Sequence, residues 1–127
     1  MQAGDTFRFA EREIEEHLWV VISDPMLDVA DPVIVVRLTT YRRGRESACI
    51  LQPGEHEFVE HATAVDYEWA LDIPNAALEG FVGSGKAIRL KRLAPGVLDR
   101  IRRGIGDSNL MPEGCKAVLV KQGLIEP

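Results

Sequence analysis

Two apolar stretches decide the fold of this chain: HLWVVIS at residues 17–23 and VIVVRLTT at residues 33–40. Both are rich in β-branched residues and are bounded by Gly, Pro or Asp, which is typical of β-strands. Between them, Asp24-Pro25 and Asp31-Pro32 disfavour a helix, because a residue before proline is pushed out of the α region. The two stretches are therefore predicted to be neighbouring strands.

Further short runs of the same kind indicate a small antiparallel sheet. Residues 6–9 and 48–51 are candidate strands, and residues 57–59 and 63–66 are candidates for one or two more. Short, evenly punctuated strands suit a barrel, so we expect a strongly curved sheet of five to seven strands. The core is predicted to include Leu18, Val20, Ile22, Ile34, Val36 and Leu38.

The pattern changes to a helical one in the last third of the chain. Pro95 is suited to a helix start, and an apolar stripe of Val97, Leu98, Ile101 and Ile105 follows it. A second helix is predicted to begin at Pro112-Glu113 and to end at Gly123. Residues 1–127 are therefore interpreted as a single domain of the mostly β or α+β class.

Composition excludes several classes of protein. The chain has 127 residues, of which 46% are hydrophobic and 28% charged, as in a folded domain rather than a disordered segment. Its apolar runs are far shorter than the roughly 20 residues of a membrane helix. Its first residues do not resemble an export signal, so we expect a cytoplasmic protein in which Cys49 and Cys115 are buried thiols.

The charges are unevenly distributed along the chain. The net charge is −5, yet residues 37–45 hold four arginines and no acid. Residues 86–103 hold seven basic residues and a single acid, Asp99. Such segregation fits either a phosphate-binding face or a basic face that is merely solvated.

Two motifs nearly match known sites. GFVGSGK at residues 80–86 matches the start of a P-loop, but Ala87 replaces the Ser or Thr that would bind magnesium, which favours a flexible turn. His56 and His61 are five residues apart, whereas a zinc helix needs four, which favours turn or sheet-edge histidines. The interpretation of the chain as a metal-dependent or nucleotide-dependent enzyme is supported by these two motifs alone.

The acidic run Glu11, Glu13, Glu15 and Glu16 is interpreted as a solvated hairpin connection.

The early strands resemble a known family. GDTFRF at residues 4–9 and the stretches at 17–23 and 33–40 resemble, in order, the opening strands of the MazF/PemK/Kid toxins. LKRL at residues 90–93, followed by an amphipathic helix, is similar to the later part of that family. The resemblance implies an SH3-like antiparallel β-barrel with C-terminal helices that forms a homodimer. It also implies a type II toxin, a metal-independent endoribonuclease without a cofactor, which cleaves single-stranded RNA and is neutralised by a cognate antitoxin protein.

The resemblance also implies a site. Thr39 falls on the active-site threonine of the family, His17 on its active-site arginine, and Arg37 on the proline before the threonine segment. Three interpretations are open: His17 acts as general acid or base, Arg37 supplies the lost positive charge, or the site binds without cutting. His17 could equally be a strand-end histidine bonded to backbone. Arg42, Arg43 and Arg45 are the candidate RNA-binding residues, and a non-catalytic barrel that binds RNA or a partner peptide is the alternative function.

Overall fold

The two stretches that dominate the sequence form the centre of a six-stranded sheet. A computed structural model describes residues 1–11, 17–25 and 32–127. The strands are β1 (Thr6–Phe9), β2 (Leu18–Val21), β3 (Pro32–Thr40), β4 (Ile50–Leu51), β5 (Thr63–Pro74) and β6 (Ala87–Leu90). The helices are α1 (Asn75–Gly83), α2 (Pro95–Gly104) and α3 (Glu113–Lys121), with a 3-10 turn at Ile105–Asp107 after α2.

The sheet is antiparallel throughout, with the strand order β4-β5-β3-β2-β1-β6. The register between β3 and β5 shifts between Val35 and Arg37. A bulge of this kind bends a strand and increases its twist, which fits the curled shape of the sheet. Within the described ranges, the outer strands β4 and β6 do not pair with each other. The prediction of a five- to seven-stranded curved antiparallel sheet with C-terminal helices is confirmed at this level.

One face of the sheet packs against α2 and α3. Side chains alternate between the two faces of a strand, so the even-numbered residues of β2 and β3 point to this side. Val97 and Ile101 of α2 and Leu119 of α3 cover them. All six predicted core residues are confirmed, with at most 2% exposure: Leu18, Val20, Ile22, Ile34, Val36 and Leu38.

The opposite face is only partly covered. Leu78 of α1 packs with Trp19, Val33 and Val35, and Phe7 of β1 joins this second cluster. Further along the same face, β3 continues with polar residues that line an open pocket instead. The fold therefore leaves one end of this face available for a functional site.

Helix α2 is fixed on β5 by a very close approach. A Cβ atom added at Gly104 would lie 2.3 Å from the Tyr67 hydroxyl. That hydroxyl donates a 2.7 Å hydrogen bond to the carbonyl oxygen of Ile101. The predicted helix from Pro95 and the predicted helix that ends before Gly123 are both confirmed.

The structure differs from the local predictions in two places. Glu57 to Val59 form a turn and not a strand, closed by a 3.0 Å bond from Val59 N–H to the His56 carbonyl oxygen. The stretch predicted as a turn at 80–86 begins inside α1, and only residues 84–86 form the turn. Glycines are weak helix formers, which explains why α1 was not predicted. Most of the predicted acidic connection at residues 11–16, and Asp31, lie outside the described residues.

Both cysteines are buried and unpaired, as predicted. Burial raises the pKa of the Cys49 and Cys115 thiols. Among the helices described here, none has the length and apolar character needed to cross a membrane.

Candidate functional site

The predicted residues His17 and Thr39 lie at the same end of the central strands. β2 and β3 pair with Leu18 opposite Leu38. One further step in that register places His17 opposite Thr39, and such antiparallel pairs have Cα atoms about 4.5–5.5 Å apart. Two residues that are distant in the chain therefore become neighbours where β2 begins and β3 ends.

The imidazole of His17 is held by the backbone of β3. Its Nδ1 atom lies 3.1 Å from the carbonyl oxygen of Leu38. A carbonyl oxygen can only accept a hydrogen bond, so Nδ1 carries the proton and Nε2 keeps the lone pair of the neutral ring. The side chain is half-buried. The hydrogen bond to the backbone that was expected of a strand-end histidine is thus present. Because Nδ1 makes this bond, Nε2 is the nitrogen that can accept a proton.

The hydroxyl of Thr39 is bonded to an arginine. Nη1 of Arg45 donates to Thr39 Oγ1 over 3.3 Å. Arg45 reaches back from the loop after β3, where Gly44 has φ of +92°, a conformation that favours glycine. A guanidinium and a hydroxyl held side by side are groups that bind phosphate oxygens.

Arg37 is held between an acid and an aromatic ring. Its Nε and Nη2 atoms donate to one carboxylate oxygen of Asp66 at 3.1 and 3.0 Å. Its Cζ atom lies 4.3 Å from the centroid of the Trp69 ring, within the range of a cation–π contact. Arg37 is therefore rigidly oriented by β5, and Asp66 balances much of its charge.

These side chains line an open pocket of about 260 Å³, which we call the rim pocket. Trp69 and Leu110 lie at its wall with 52% and 49% of their surfaces exposed. His17 is not part of the lining of the rim pocket. The lining side chains that bear on its chemistry are Arg37, Thr39, Arg45, Glu46, Asp66, Glu68 and Trp69.

Four of these residues were missed by the sequence analysis: Glu46, Asp66, Glu68 and Trp69. Asp66 and Trp69 meet Arg37 only through the pairing of β3 with β5. For Asp66 and Glu68 the available signal was their alternation with apolar neighbours, which places them on the other face of the strand. Trp69 is in phase with the apolar Val65 and Tyr67, so alternation predicts a buried ring and no sequence signal marked its exposure.

The two basic segments differ in how their charges are used. In residues 86–103, Arg89 and Arg92 pair with Asp5 at 3.5 and 3.1 Å, Arg100 pairs with Glu55, and Arg103 pairs with Asp99 at 3.1 Å. Most arginines of this segment are thus balanced by acids of the protein itself. Arg42 and Arg43 lie exposed on the same loop as Arg45, outside the lining of the rim pocket. The loop at residues 41–45 is a candidate phosphate-binding surface because its arginines are exposed and Arg45 reaches the rim pocket.

A layer of buried ionisable groups lies behind the rim pocket. Burial, together with the nearby Cys49 and Glu46, raises the pKa of Tyr67 far above its ordinary value. Burial likewise raises the pKa of Cys49, although Arg100 acts against it. One carboxylate oxygen of Glu46 is buried without a hydrogen-bond partner in the part of the chain that the structure describes. Tyr67 and Cys49 are therefore neutral near pH 7 and act as structural groups.

The two histidines of the zinc-like motif form separate hydrogen bonds within the fold. His56 is buried, with Nε2 2.6 Å from the carbonyl oxygen of Lys91 and Nδ1 accepting from the Phe58 N–H. His61 is exposed and lies 2.8 Å from the Thr40 hydroxyl. Across residues 1–11, 17–25 and 32–127, no three His, Cys, Asp or Glu side chains are grouped as metal ligands.

No family model, curated protein or solved structure matches this chain in comparisons with known proteins. Function is therefore inferred from the rim pocket and from the sequence resemblance.

Proposed function

We propose that this protein is an endoribonuclease that cuts single-stranded RNA beside the rim pocket without a metal ion. One observation supports this above others: the register of β2 with β3, extended by one residue, brings His17 to Thr39, whose hydroxyl accepts from Arg45, and the Nδ1 bond of His17 makes Nε2 its basic nitrogen. Cleavage of RNA by its own 2′-hydroxyl requires a proton acceptor and positive charge near the phosphorus. The three side chains supply both.

In this mechanism, Nε2 of His17 accepts the proton of the 2′-hydroxyl while that oxygen attacks the adjacent phosphorus. The bond from phosphorus to the 5′-oxygen breaks, and the leaving oxygen takes a proton from a water molecule. The hydroxide that remains takes the proton from Nε2 of His17, which restores water and the neutral ring. Arg45 and the Thr39 hydroxyl contact the non-bridging oxygens, where negative charge develops. The products are a 2′,3′-cyclic phosphate and a 5′-hydroxyl.

The remaining arginines bind and orient the strand. Arg42 and Arg43 extend the positive charge of the loop away from the reacting phosphate and contact neighbouring phosphates. Arg37 is a second cation at the pocket besides Arg45, held in place by Asp66 and Trp69.

The wider biological proposal depends on the resemblance to the MazF/PemK/Kid family. We propose a cytoplasmic, homodimeric toxin of a type II toxin–antitoxin module, inhibited by a cognate antitoxin protein and free of cofactors. The curled six-stranded sheet with C-terminal helices supports the narrower assignment to an SH3-like barrel.

The direct test is cleavage of a labelled single-stranded RNA by the purified protein in excess chelator. We expect fragments that end in a 2′,3′-cyclic phosphate. A 2′-O-methyl strand of the same sequence is the matched control, because it keeps the phosphates and lacks the attacking hydroxyl. It should bind with similar affinity and stay intact. Fragments from the methylated strand would exclude the proposed chemistry.

A second function, a non-catalytic module that binds RNA or a partner peptide, is supported by a separate observation. Arg37 is already paired with Asp66, and His17 already bonds to the Leu38 carbonyl oxygen, so both side chains have structural roles. This alternative predicts that both RNA strands bind and that neither is cut. Induced expression should then be harmless to the host cell.

A further inference from the structure

One wall of the rim pocket suits a flat ring better than a phosphate. Trp69 keeps 52% of its surface exposed even though Arg37 covers its ring at 4.3 Å. The ion pair between Arg37 and Asp66 holds this arrangement in place. Proteins that bind single-stranded RNA stack unpaired bases on such aromatic and guanidinium surfaces.

The same pocket also contains carboxylates beside its arginines. Asp66, Glu68 and Glu46 all line it. Asp66 is engaged by Arg37, but Glu68 is exposed and has no hydrogen bond or ion pair to any described residue. Glu46 keeps one buried carboxylate oxygen without a partner in the described chain. Ionised carboxylates only accept hydrogen bonds, so the pocket calls for a ligand with N–H donors.

Among the RNA bases, guanine matches this set of groups. Its N1–H and N2–H donors lie side by side, as the two oxygens of one carboxylate require. Its O6 and N7 atoms accept hydrogen bonds from arginine. Adenine and cytosine present a single amino group to a carboxylate, and uracil presents one N–H.

We infer that the rim pocket is a guanine-binding subsite, with the base stacked on Trp69 and its N1–H and N2–H edge bonded to Glu68. This inference builds on the proposed function, since it names the base that lies next to the cleaved phosphate. It assigns to Trp69 and Glu68 a role in sequence selection and none in proton transfer.

Tryptophan fluorescence provides the test, because Trp69 is exposed whereas Trp19 is only 9% exposed. The purified protein is titrated with GMP, AMP, CMP and UMP, with correction for nucleotide absorbance. We expect GMP to quench at a concentration about tenfold or more below the others, as one bidentate pair contributes about 1–3 kcal/mol of discrimination.

Two variants separate the contributions of the ring and the carboxylate. Glu68→Gln should weaken GMP quenching about tenfold and leave AMP quenching unchanged, whereas Glu113→Gln on α3, outside the pocket, should change neither. Trp69→Leu lacks the reporting ring, so its nucleotide affinity is measured by equilibrium dialysis, and it should bind all four nucleotides more weakly than the wild type. Equal quenching by the four nucleotides, or GMP preference that survives Glu68→Gln, would overturn the inference.

The nuclease proposal and the guanine subsite can fail separately. If the protein cuts RNA without base preference, the proposed function is supported and the guanine subsite is refuted. If Trp69 fluorescence reports selective GMP binding but RNA stays intact, the guanine subsite is supported and the nuclease proposal is refuted.

Discussion

Nδ1 of His17 and the carbonyl oxygen of Leu38 are 3.1 Å apart, and this bond decides which nitrogen of the ring can take a proton. The carbonyl must accept, so Nδ1 is the donor and Nε2 is the basic atom in the neutral form. The same bond ties the start of β2 to the end of β3, where Thr39 follows. The structural role of His17 and its proposed role as a base can therefore be separated by a substitution that keeps the hydrogen-bond donor and removes the basic nitrogen.

His17→Asn makes that separation, because an asparagine amide can donate to the Leu38 carbonyl oxygen but cannot act as a base. We expect thermal stability and RNA affinity close to those of the wild type, and a cleavage rate lower by about a hundredfold or more. Single-turnover cleavage and equilibrium binding measure the two effects. An unchanged cleavage rate in His17→Asn would show that His17 is not the proton acceptor.

Thr39 offers an independent test with a matched control. Thr39→Val is nearly isosteric and removes the hydroxyl that accepts from Arg45, so cleavage and toxicity on expression should be lost while RNA binding persists. Thr39→Ser retains the hydroxyl and should keep most of the activity. Equal activity in the two variants would mean that the hydroxyl does not contact the reacting phosphate.

Charge reversal in the basic loop should weaken RNA binding without changing sequence preference. The double variant Arg42→Glu, Arg43→Glu removes phosphate contacts, so affinity should fall alike for all RNA sequences. The slope of log affinity against log salt should decrease by about 0.7 for each lost contact. Arg103→Glu on α2, an exposed arginine paired with Asp99, is the control and should bind as the wild type does. Unchanged affinity in the double variant would assign the loop to solubility.

Gly104→Ala should destabilise the fold although alanine is the better helix former. The new Cβ would lie 2.3 Å from the Tyr67 hydroxyl and 3.1 Å from Cys49 Cβ, so we expect a loss of about 1–3 kcal/mol. Gly96→Ala in the same helix meets no atom within 4 Å and should be neutral or stabilising by up to about 1 kcal/mol. Urea unfolding of both variants checks the contrast. Similar free energies of unfolding in the two would contradict the close approach of α2 to β5.

Stability should fall at alkaline pH because the folded state raises the pKa of Cys49 and Tyr67. In the unfolded chain these groups lose protons near their ordinary values of 9.0 and 10.0, while the folded protein retains the protons. The unfolded state then binds fewer protons, so the free energy of unfolding decreases as pH rises above about 9. Urea unfolding from pH 7 to 10.5 measures this slope. Cys49→Ala and Tyr67→Phe should each make the decrease with pH shallower. An unchanged slope in both variants would show that Cys49 and Tyr67 do not cause the loss of stability at alkaline pH.

Much of the fold followed from local sequence patterns. β-branched runs bounded by turn residues predicted β1 to β3 and the start of β5, because strand preference and alternation are properties of neighbouring residues. The stripe after Pro95 predicted α2 for the same reason. α1 and β6 were missed, since two glycines weaken the helical pattern of α1 and β6 contains one β-branched residue and no aromatic residue. Short elements of this kind are stabilised by packing, in this case by Leu78 and Ala87 in the second core cluster.

The sequence by itself determined the positions of β1 to β4 and the start of β5, and six residues of the core. It also marked candidates for phosphate chemistry: His17, Arg37, Thr39 and Arg45. Only the tertiary structure decided which of their atoms are available. The register of β2 with β3 orients His17, and the register of β3 with β5, shifted by a bulge, brings Asp66 and Trp69 to Arg37. Register depends on contacts between segments far apart in the chain, so no local pattern contains it.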